Sequence, residues 1–454
     1  MTKEIVLMKF GGTSMGSAWS ISRCAELINS KKENVVVVVS AASGVTDMLL
    51  QLIDFSQKQK IGLVKKQLKE IIDRHTQILE QLCPWDNCYY QTDFQPRFTK
   101  LGKILEGISY TGDLSDRTKA YILSYGERFS SFLLVYALEK YSLRGVRINS
   151  KKLIITDSNY LNAKCIIPNT NKACKKNILP LLSQGCISNK IIPVITGFFG
   201  KSTENDITLL GRGGSDYSAS IIGAALDVSR IEIWTDVNGI MTGDPKIETN
   251  AKSISRIDNE IAAEMAFAGA KVLHPKTIEP AKLKNIPVAV LNTFNPTFEG
   301  TLVLPHKGEG VVSISCSDSN AIINIKSTDA LNSGFILNVS SIIAANAIPI
   351  DVFATSEMSI SFSIKQLNYN NKMLEIFKKI GEISVIENAI KVSIIGYNIA
   401  RDHKVLQVVF NILAENKVDA KIVSISSAPN NITLMFTKEN LYIVRLLHKQ
   451  LIEN

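Results

Sequence analysis

The segment Ile5–Phe10, "IVLMKF", runs directly into Gly11, Gly12, Thr13 and Ser14. Continuous apolar character broken only by Lys9 reads as a strand buried on both faces, because a half-buried strand would alternate apolar with polar residues. Such strands belong to parallel sheets covered by helices on both sides. The same style returns at 35–40 ("VVVVVS"), 191–198 ("IIPVITGF") and 231–237 ("IEIWTDV"), separated by segments of helical period. Residues 1–304 are therefore expected to form a three-layer α/β/α domain around a mostly parallel sheet. Between Leu63 and Leu143 the pattern is mostly helical: in "GERFSSFLLVYALEKY" (126–141), Phe129, Phe132, Leu133 and Tyr136 share one face.

The stretch 292–310, "NTFNPTFEGTLVLPHKGEG", carries prolines, glycines and little periodicity, and reads as a junction. After it the pattern changes. "AIINIKS", "GFILNVSSIIAANA", "IDVFATS", "MSISFSI", "KMLEIFKKIG" and "ISVIENA" spell βαββαβ, the ferredoxin-like order. The order restarts at "KVSIIG" and continues through "KVLQVVFNILAEN", "AKIVSISSA", "ITLMFT" and "NLYIVRLLHKQLIE". Two ferredoxin-like units are expected, at 318–390 and 391–454. The second lacks a last strand, which Val311–Ser317 is expected to supply, nesting the first unit inside the second.

Composition narrows the function classes. With 45% hydrophobic and 20% charged residues over 454 positions, a soluble, folded, multidomain protein is the default. Seven scattered cysteines without a C-x-x-C pair read as reduced thiols, and five histidines without an H-x-x-x-H pair give no zinc signature. No specific metal ligands are assigned; a metal, if used, would be Mg2+ held by oxygen ligands and substrate phosphates. No secretory leader and no run of eighteen apolar residues is seen, so the expected location is the cytoplasm, with no membrane partner. The net charge of +9 is spread over many helix faces without an arginine-rich arm, so nucleic acid is not expected as a partner.

Three short stretches carry candidate chemistry. The glycine turn after Lys9 allows close backbone approach, and Thr13 and Ser14 add hydroxyls, which together suit a phosphate. Read alone, it is also an ordinary turn. A second turn, "LLGRGGSDYSA", sets Arg212, Gly213, Gly214, Ser215 and Asp216 ahead of a helix expected to begin near Tyr217, where free amides favour anions. Ser215 or Asp216 can equally be a plain N-cap. In "SYGERFSS", Glu127 opens a further helix, where an acid also compensates the helix dipole.

Taken together, "KFGGTS", "SAASGVTD", "YGERFS", "LGRGGSDYSA", "IWTDVNGI" and "GAKVLHP", in this order, resemble the aspartate kinases of the amino-acid kinase superfamily, of the monofunctional, lysine-sensitive type. The tandem C-terminal units are similar to that family's ACT domains, and the resemblance covers nearly the whole chain. It implies transfer of the γ-phosphoryl of MgATP to the β-carboxylate of L-aspartate, the first step toward lysine, threonine and methionine. Lys9 and Asp216 are the implied catalytic residues, Lys9 on the phosphates and Asp216 orienting it. Ser40, Thr46, Glu127 and Arg212 are the implied aspartate contacts, with Arg212 on the α-carboxylate and Glu127 on the α-ammonium. The implied nucleotide site comprises Lys9, the amides of Gly11 and Gly12, Thr13, Ser14, Gly213, Gly214, Ser215, Thr235, Asp236, Met241, Lys246 and Lys271. Relatives usually carry tyrosine at the position of Met241 and often arginine at that of Lys246, so altered nucleotide affinity is expected.

For regulation, the resemblance implies L-lysine as effector at Gly334, Phe335, Ile336, Ile350, Asp351, Thr355, Ser356 and Glu357, and a homodimer or homotetramer formed through the ACT domains. Asp329 and Asn332 depart from the lysine-sensitive pattern. No fused homoserine dehydrogenase is expected, since no dinucleotide-binding unit is read after the second ACT unit. Two other readings stand beside this one: a different amino-acid kinase, acting on glutamate or acetylglutamate, and an impaired sensor that keeps only the kinase fold.

Overall fold

The computed structural model describes residues 4–84, 89–184, 190–269, 273, 275–327, 334–356, 358–369, 371–425 and 429–453. These form two compact units: Met1–Ile240 with Ser255–Asn259 and Val272–Pro305, and Met241–Ile254 with Glu260–Lys271 and His306–Asn454.

In the first unit the strands are β1 (Ile5–Phe10), β2 (Asn34–Val39), β3 (Arg144–Ile148), β4 (Ile155–Thr156), β5 (Ile191–Thr196), β6 (Phe199–Ser202), β7 (Ile207–Leu209), β8 (Arg230–Thr235), β9 (Arg256–Ile257), β10 (Val288–Asn292) and β11 (Thr301–Val303). Eight of them make one sheet in the order β3-β5-β2-β1-β8-β10-β11-β9, parallel except where β10 meets β11. β1 lies near the middle, flanked by β2 and β8, so Lys9 reaches the C-terminal edge of the sheet at its centre. Ligands gather at that edge in open α/β sheets, where successive connections leave a crevice. β4, β6 and β7 form a separate three-stranded sheet.

Helices α1 (Ala18–Asn29), α2 (Val45–Gln57), α3 (Ile61–Leu82), α4 (Gln95–Thr111), α5 (Asp116–Leu123), α6 (Tyr125–Glu139), α7 (Ile167–Gln184) and α8 (Gly214–Leu226) accompany these strands. The expected helical stretch after Leu63 is realised as α3 to α6. Its helix α6 is buried on nearly every side rather than on one face, because Phe129 stacks on Phe94 and Phe98 while His75 approaches from α3. Burial holds the His75 imidazole neutral, with its pKa lowered to about 4.

The stretch read as a junction is more structured than its composition suggested. It contains β11, which pairs antiparallel with β10 through Val288–Val303 and Val290–Thr301. Its glycine is needed there: Gly300 has φ +69°, and a Cβ would lie 2.1 Å from the Val290 carbonyl oxygen.

Two helices follow, α9 (Asn259–Phe267) and α10 (Pro275–Leu283), and then the second unit's sheet. Its strands are β12 (Gly310–Lys326), β13 (Val352–Thr355), β14 (Ser359–Lys365), β15 (Glu382–Tyr397), β16 (Ile422–Ile425) and β17 (Asn431–Thr437), in the order β13-β14-β12-β15-β17-β16. Helices α11 (Phe335–Ala345) and α12 (Asn371–Phe377) belong to the first repeat, and α13 (His403–Glu415) and α14 (Tyr442–His448) to the second. All pairings are antiparallel. Val311–Ser317 pairs with Lys391–Gly396, while Asn320–Lys326 pairs with Glu382–Ala389. The stretches "ISVIENA" and "KVSIIG", read as separate strands, are one strand, β15, and β12 likewise serves both βαββα repeats. Each repeat keeps its own core, one around Ile323, Phe335 and Phe362, the other around Val392, Val409 and Phe436.

The return of β12 onto β15 leaves no space at Gly396, where a Cβ would sit 2.2 Å from the Gly310 carbonyl oxygen and 2.7 Å from Val311 Cα. Both neighbours are backbone, so they cannot swing aside. Gly396→Ala is expected to destabilise the second unit by roughly 1–3 kcal/mol, the scale of overpacking, read as a lower urea midpoint. An unchanged midpoint would show that the first seven residues of β12 contribute nothing to the sheet.

Candidate active site

Three connections meet above the C-terminal edge of the first unit's sheet. β1 ends in Lys9 and Phe10, β2 ends before Ser40, and the "GRGG" turn leads into α8. Together they enclose a cavity of about 250 Å³ lined by Lys9, Ser40, Thr46, Glu127, Arg212, Gly213, Gly214, Ser215 and Asp216, and by Ala41, Phe198 and Gly211. Residues from four distant parts of the sequence thus share one space.

Lys9 is buried, and its ammonium lies 2.5 Å from Asp216 Oδ1. Two separate glycine turns are tied by this one ion pair. Burying an ammonium without a counter-ion is costly, so the pair settles where Lys9 points. Asp216 stands in the first turn of α8, whose N-cap is Gly213 at φ +69°, with no side-chain cap. The helix therefore begins at Gly214, earlier than the expected start near Tyr217, and neither Ser215 nor Asp216 serves as its cap. This frees both side chains for the cavity. Gly214 is required for close packing, since a Cβ would lie 2.8 Å from the Phe198 ring.

Glu127 lies in the first turn of α6, buried at 3% exposure. Its Oε1 accepts a hydrogen bond from Ser215 Oγ at 3.4 Å, and its Oε2 is buried without a partner among the described residues. Burial raises its pKa from 4.5 to about 8, against the lowering effects of backbone hydrogen bonds, Ser215 and the Lys9 charge. Arg212 is exposed, and none of the ion pairs among the described residues uses its guanidinium. The cavity thus offers a compensated cation, an uncompensated acid and a free planar cation, a set suited to a zwitterion carrying an extra carboxylate beside a polyanion.

The turn after β1 differs in part from the sequence reading. The amide of Gly11 donates to the Trp234 carbonyl oxygen at 3.0 Å, so it is spent on the sheet and is not available to a phosphate. Ser14 is fully buried, with its hydroxyl 2.8 Å from Thr293 Oγ1, which corrects the expectation that it faces a ligand. Gly12 and Thr13 remain partly exposed on the turn, though neither lines the cavity. Thr235 ends β8 and donates to Asp236 Oδ1 at 3.1 Å; both stand at the same edge of the sheet. Met241 and Lys246 belong to the second unit, where Met241 bridges to Ser253 and Lys246 is exposed. Lys271 lies outside the described residues.

The effector candidates are in the second unit. Phe335 is a core side chain of the first repeat at the start of α11. Gly334 is the N-cap of α11, Ile336 is exposed and Ile350 is half-buried. Asp351 lies 3.8 Å from the Lys391 ammonium, and Ser356 hydrogen bonds to Ser359, beside an exposed Thr355. Glu357, Asp329 and Asn332 lie outside the described residues.

Sequence reasoning missed Phe198. It closes one wall of the cavity from a left-handed conformation, φ +75°, between β5 and β6. A bulky residue at positive φ is strained and persists only where its surroundings hold it. Its amide accepts such support by donating to Ser218 Oγ at 3.0 Å. The adjacent Gly197 in "TGFFG" was the available signal.

Residues 4–292 match the amino acid kinase family. The chain is 32% identical to aspartokinase 2, chloroplastic, of Arabidopsis thaliana, in a match covering 99% of this chain and 85% of that one. It is 29% identical to the lysine-sensitive aspartokinase 3 of Escherichia coli, covering 99% and 100%. The fold is similar to that of E. coli aspartokinase III in complex with aspartate and ADP, with a TM-score of 0.85 and 28% identity over 98% of this chain and 99% of that one. It is also similar to the same enzyme in complex with lysine and aspartate, with a TM-score of 0.82 and 28% identity over 99% of each chain.

The raised pKa of Glu127 has a defined sign in stability. Between about 4.5 and 8 the folded protein holds a proton that the unfolded chain has released, so stability falls as pH rises through that window and levels above it. Glu127→Gln is expected to remove this component. Chemical denaturation of the ligand-free protein at pH 5, 6.5 and 8 measures it; parallel pH profiles for the two proteins would show that Glu127 ionises normally.

Proposed function

We propose, from the premise that the chain belongs to the amino acid kinase family and within it to the aspartokinases, that it transfers the γ-phosphoryl group of ATP to the β-carboxylate of L-aspartate, giving 4-phospho-L-aspartate. The observation that carries this reading is the convergence of Lys9, Glu127, Arg212 and Asp216 on one cavity.

The nucleophile needs no base. A free aspartate side chain titrates near about 3.9 and is already ionised at neutral pH. The barrier is the approach of one anion to another, and charge placed in advance lowers it. Lys9, held by Asp216, brings its ammonium to the transferring phosphoryl group, and the amides that open α8 add the positive end of a helix. Arg212 clamps the α-carboxylate, and Glu127 receives the α-ammonium, which supplies the cation its buried Oε2 lacks. Ser40 and Thr46 add hydroxyls to the same wall. Asp216 orients Lys9 and is not required as a base.

The oxygen donors of the cavity suit Mg2+, with the Asp216 carboxylate as the residue that would help hold it. When bound with the nucleotide, Mg2+ neutralises charge on the phosphates. Gly12, Thr13, Gly213, Gly214, Ser215, Thr235 and Asp236 complete the proposed nucleotide contacts, together with Met241, Lys246 and Lys271.

Regulation by L-lysine is the companion proposal, supported by the relative named lysine-sensitive and by its lysine complex. Asp351 and Ser356, on the first repeat, are the proposed seats for the effector's ammonium, with Gly334 and the start of α11 facing its carboxylate. Association through the second unit into a dimer or tetramer, and a cytoplasmic location, are part of the same reading. Among the described residues, no helix is long and apolar enough to cross a membrane.

Lys9→Met is expected to lower kcat by roughly a hundred- to a thousandfold, the scale for one preorganised charge-stabilising donor, whereas Arg212→Ala should act mainly on the KM for aspartate. ATP turnover with aspartate, with glutamate and with neither separates this activity from a related kinase and from a silent sensor. Equal kcat in Lys9→Met would remove Lys9 from the chemistry.

Millimolar lysine is expected to reduce aspartate-dependent turnover, and Asp351→Ala to relieve that inhibition while leaving uninhibited turnover unchanged. A flat lysine titration would dismiss the effector assignment and leave the kinase assignment standing.

A further inference from the structure

In the second unit, three potential metal ligands from two distant stretches of the chain meet. His448 is the last residue of α14, 1% exposed, and the chain continues through a π-helical turn, Lys449–Glu453. That wider turn returns the side chain five positions on, so Glu453 Oε1 lies 2.9 Å from His448 Nδ1. Single π-turns are uncommon and frequently mark functional sites. The third member is Glu248, 5% exposed, on the segment Met241–Ile254. One ligand atom from each of the three lies within 4.8 Å of the others.

The charge balance of this group is incomplete. Glu248 accepts a hydrogen bond from the amide of Asn250 at 2.9 Å, but no ion pair among the described residues reaches its carboxylate. Glu453 shares its other oxygen with Asn250 Nδ2 at 3.2 Å and feels the nearby Lys252 only through its charge. Glu453 has His448 and Lys252 beside it, whereas buried Glu248 has no ion-pair partner among the described residues, and an unpaired buried charge is costly.

The outer shell is already built. His448 Nε2 is 3.0 Å from Thr242 Oγ1, which itself accepts the Lys252 amide at 2.9 Å. That contact fixes the ring while Nδ1 meets Glu453, the second-shell arrangement that orients a ligating histidine. Gly243 packs on the group: a Cβ there would stand 3.5 Å from His448 Cδ2 and 3.6 Å from Glu248 Cβ. Glu453, with 21% of its side chain exposed, is the open edge.

We propose that Glu248, His448 and Glu453 bind one divalent transition-metal ion of the zinc class. One imidazole nitrogen with two carboxylate oxygens suits that class, whereas Mg2+ and Ca2+ favour oxygen alone. Ligand atoms around a tetrahedral zinc, each about 2.0–2.1 Å from the ion, stand roughly 3.4 Å apart, so small side-chain rotations suffice to close the site. The ion fastens the segment carrying Met241 and Lys246 to the end of α14, adding to the hydrogen bonds already present from Ile314 to Thr242 and from Arg445 to Ile247. No spacing in the sequence announces it, because the ligands come from segments far apart in the chain.

The test uses the full-length protein, stripped with chelator and titrated with Zn2+ in excess Mg2+. One Zn2+ per chain is expected, with Co2+ giving visible absorption bands at the same stoichiometry. Hydrogen exchange in 241–254 and 442–453 should slow on binding. Glu453→Gln, at the open edge, and Glu248→Gln should each weaken binding by at least about tenfold with the circular dichroism of the fold retained. If Zn2+ does not bind, or binds the two variants as tightly as the parent, the three residues are a plain hydrogen-bonded cluster and the proposal is overturned.

Discussion

The contact between Lys9 and Asp216 is the constraint on which the active-site architecture rests. A lysine on a central strand of a parallel sheet faces a problem of solvation, since Lys9 lies between Val38 of β2 and Ile233 of β8 and is itself buried. The ammonium therefore must leave the sheet at its C-terminal edge and find an anion there. Asp216 is available only because α8 begins at Gly214, and α8 begins there only because Gly213 takes a left-handed conformation that ends the preceding turn. Strand register, glycine dihedral and helix start are thus one arrangement, and moving any of them would strand a buried charge.

The second unit solves a different problem with the same economy. Two βαββα repeats each lack one edge partner, and two long strands serve both. β12 and β15 run the full width, so neither repeat can be removed without exposing a row of unpaired backbone groups on the other. The change of repeat is marked by irregularities: the register shifts between Ser317 and Asn320, with Ser319 at φ +57°, and Asn388 on β15 is at φ +55°. Bulges of this kind bend a strand without ending it, letting one strand present different faces to two cores.

That explains which features could be read from the sequence. β1, β2, β5 and β8 were legible because continuous β-branched runs have little alternative, and the helices because their period is long. The continuity of β12 and β15 was not, because "SDSN" looks like a turn, "ISVIENA" and "KVSIIG" look like two strands, and a bulge uses the same polar residues as a loop. At the site, the residues of the "GRGG", "YGER" and "SAASG" turns were found together in one cavity. Gly11 and Ser14 were not, since a glycine turn after a strand has the same sequence whether its donors face a ligand or return to the sheet. Glu232 was equally hidden: an acid inside an apolar strand, it is held by Lys31, Arg230 and the Trp234 indole, residues that no local pattern connects.

Two carboxylates in one cavity end in opposite conditions, and the difference follows from position alone. Asp216 sits against the buried ammonium, so its charge is compensated before any ligand arrives. Glu127 is deeper, with one oxygen weakly held by Ser215 and the other unmatched, so burial favours its protonated form. A ligand with an ammonium group changes that balance, because it brings the cation that the protein withholds. Under the proposed binding mode the acid would then ionise, its proton leaving as the ligand enters. A ligand lacking that ammonium would meet a neutral acid and lose the attraction. With the roles proposed for Glu127 and Arg212, the site would select an amino acid over a plain dicarboxylic acid through the unmatched oxygen of Glu127 as much as through Arg212 at the rim.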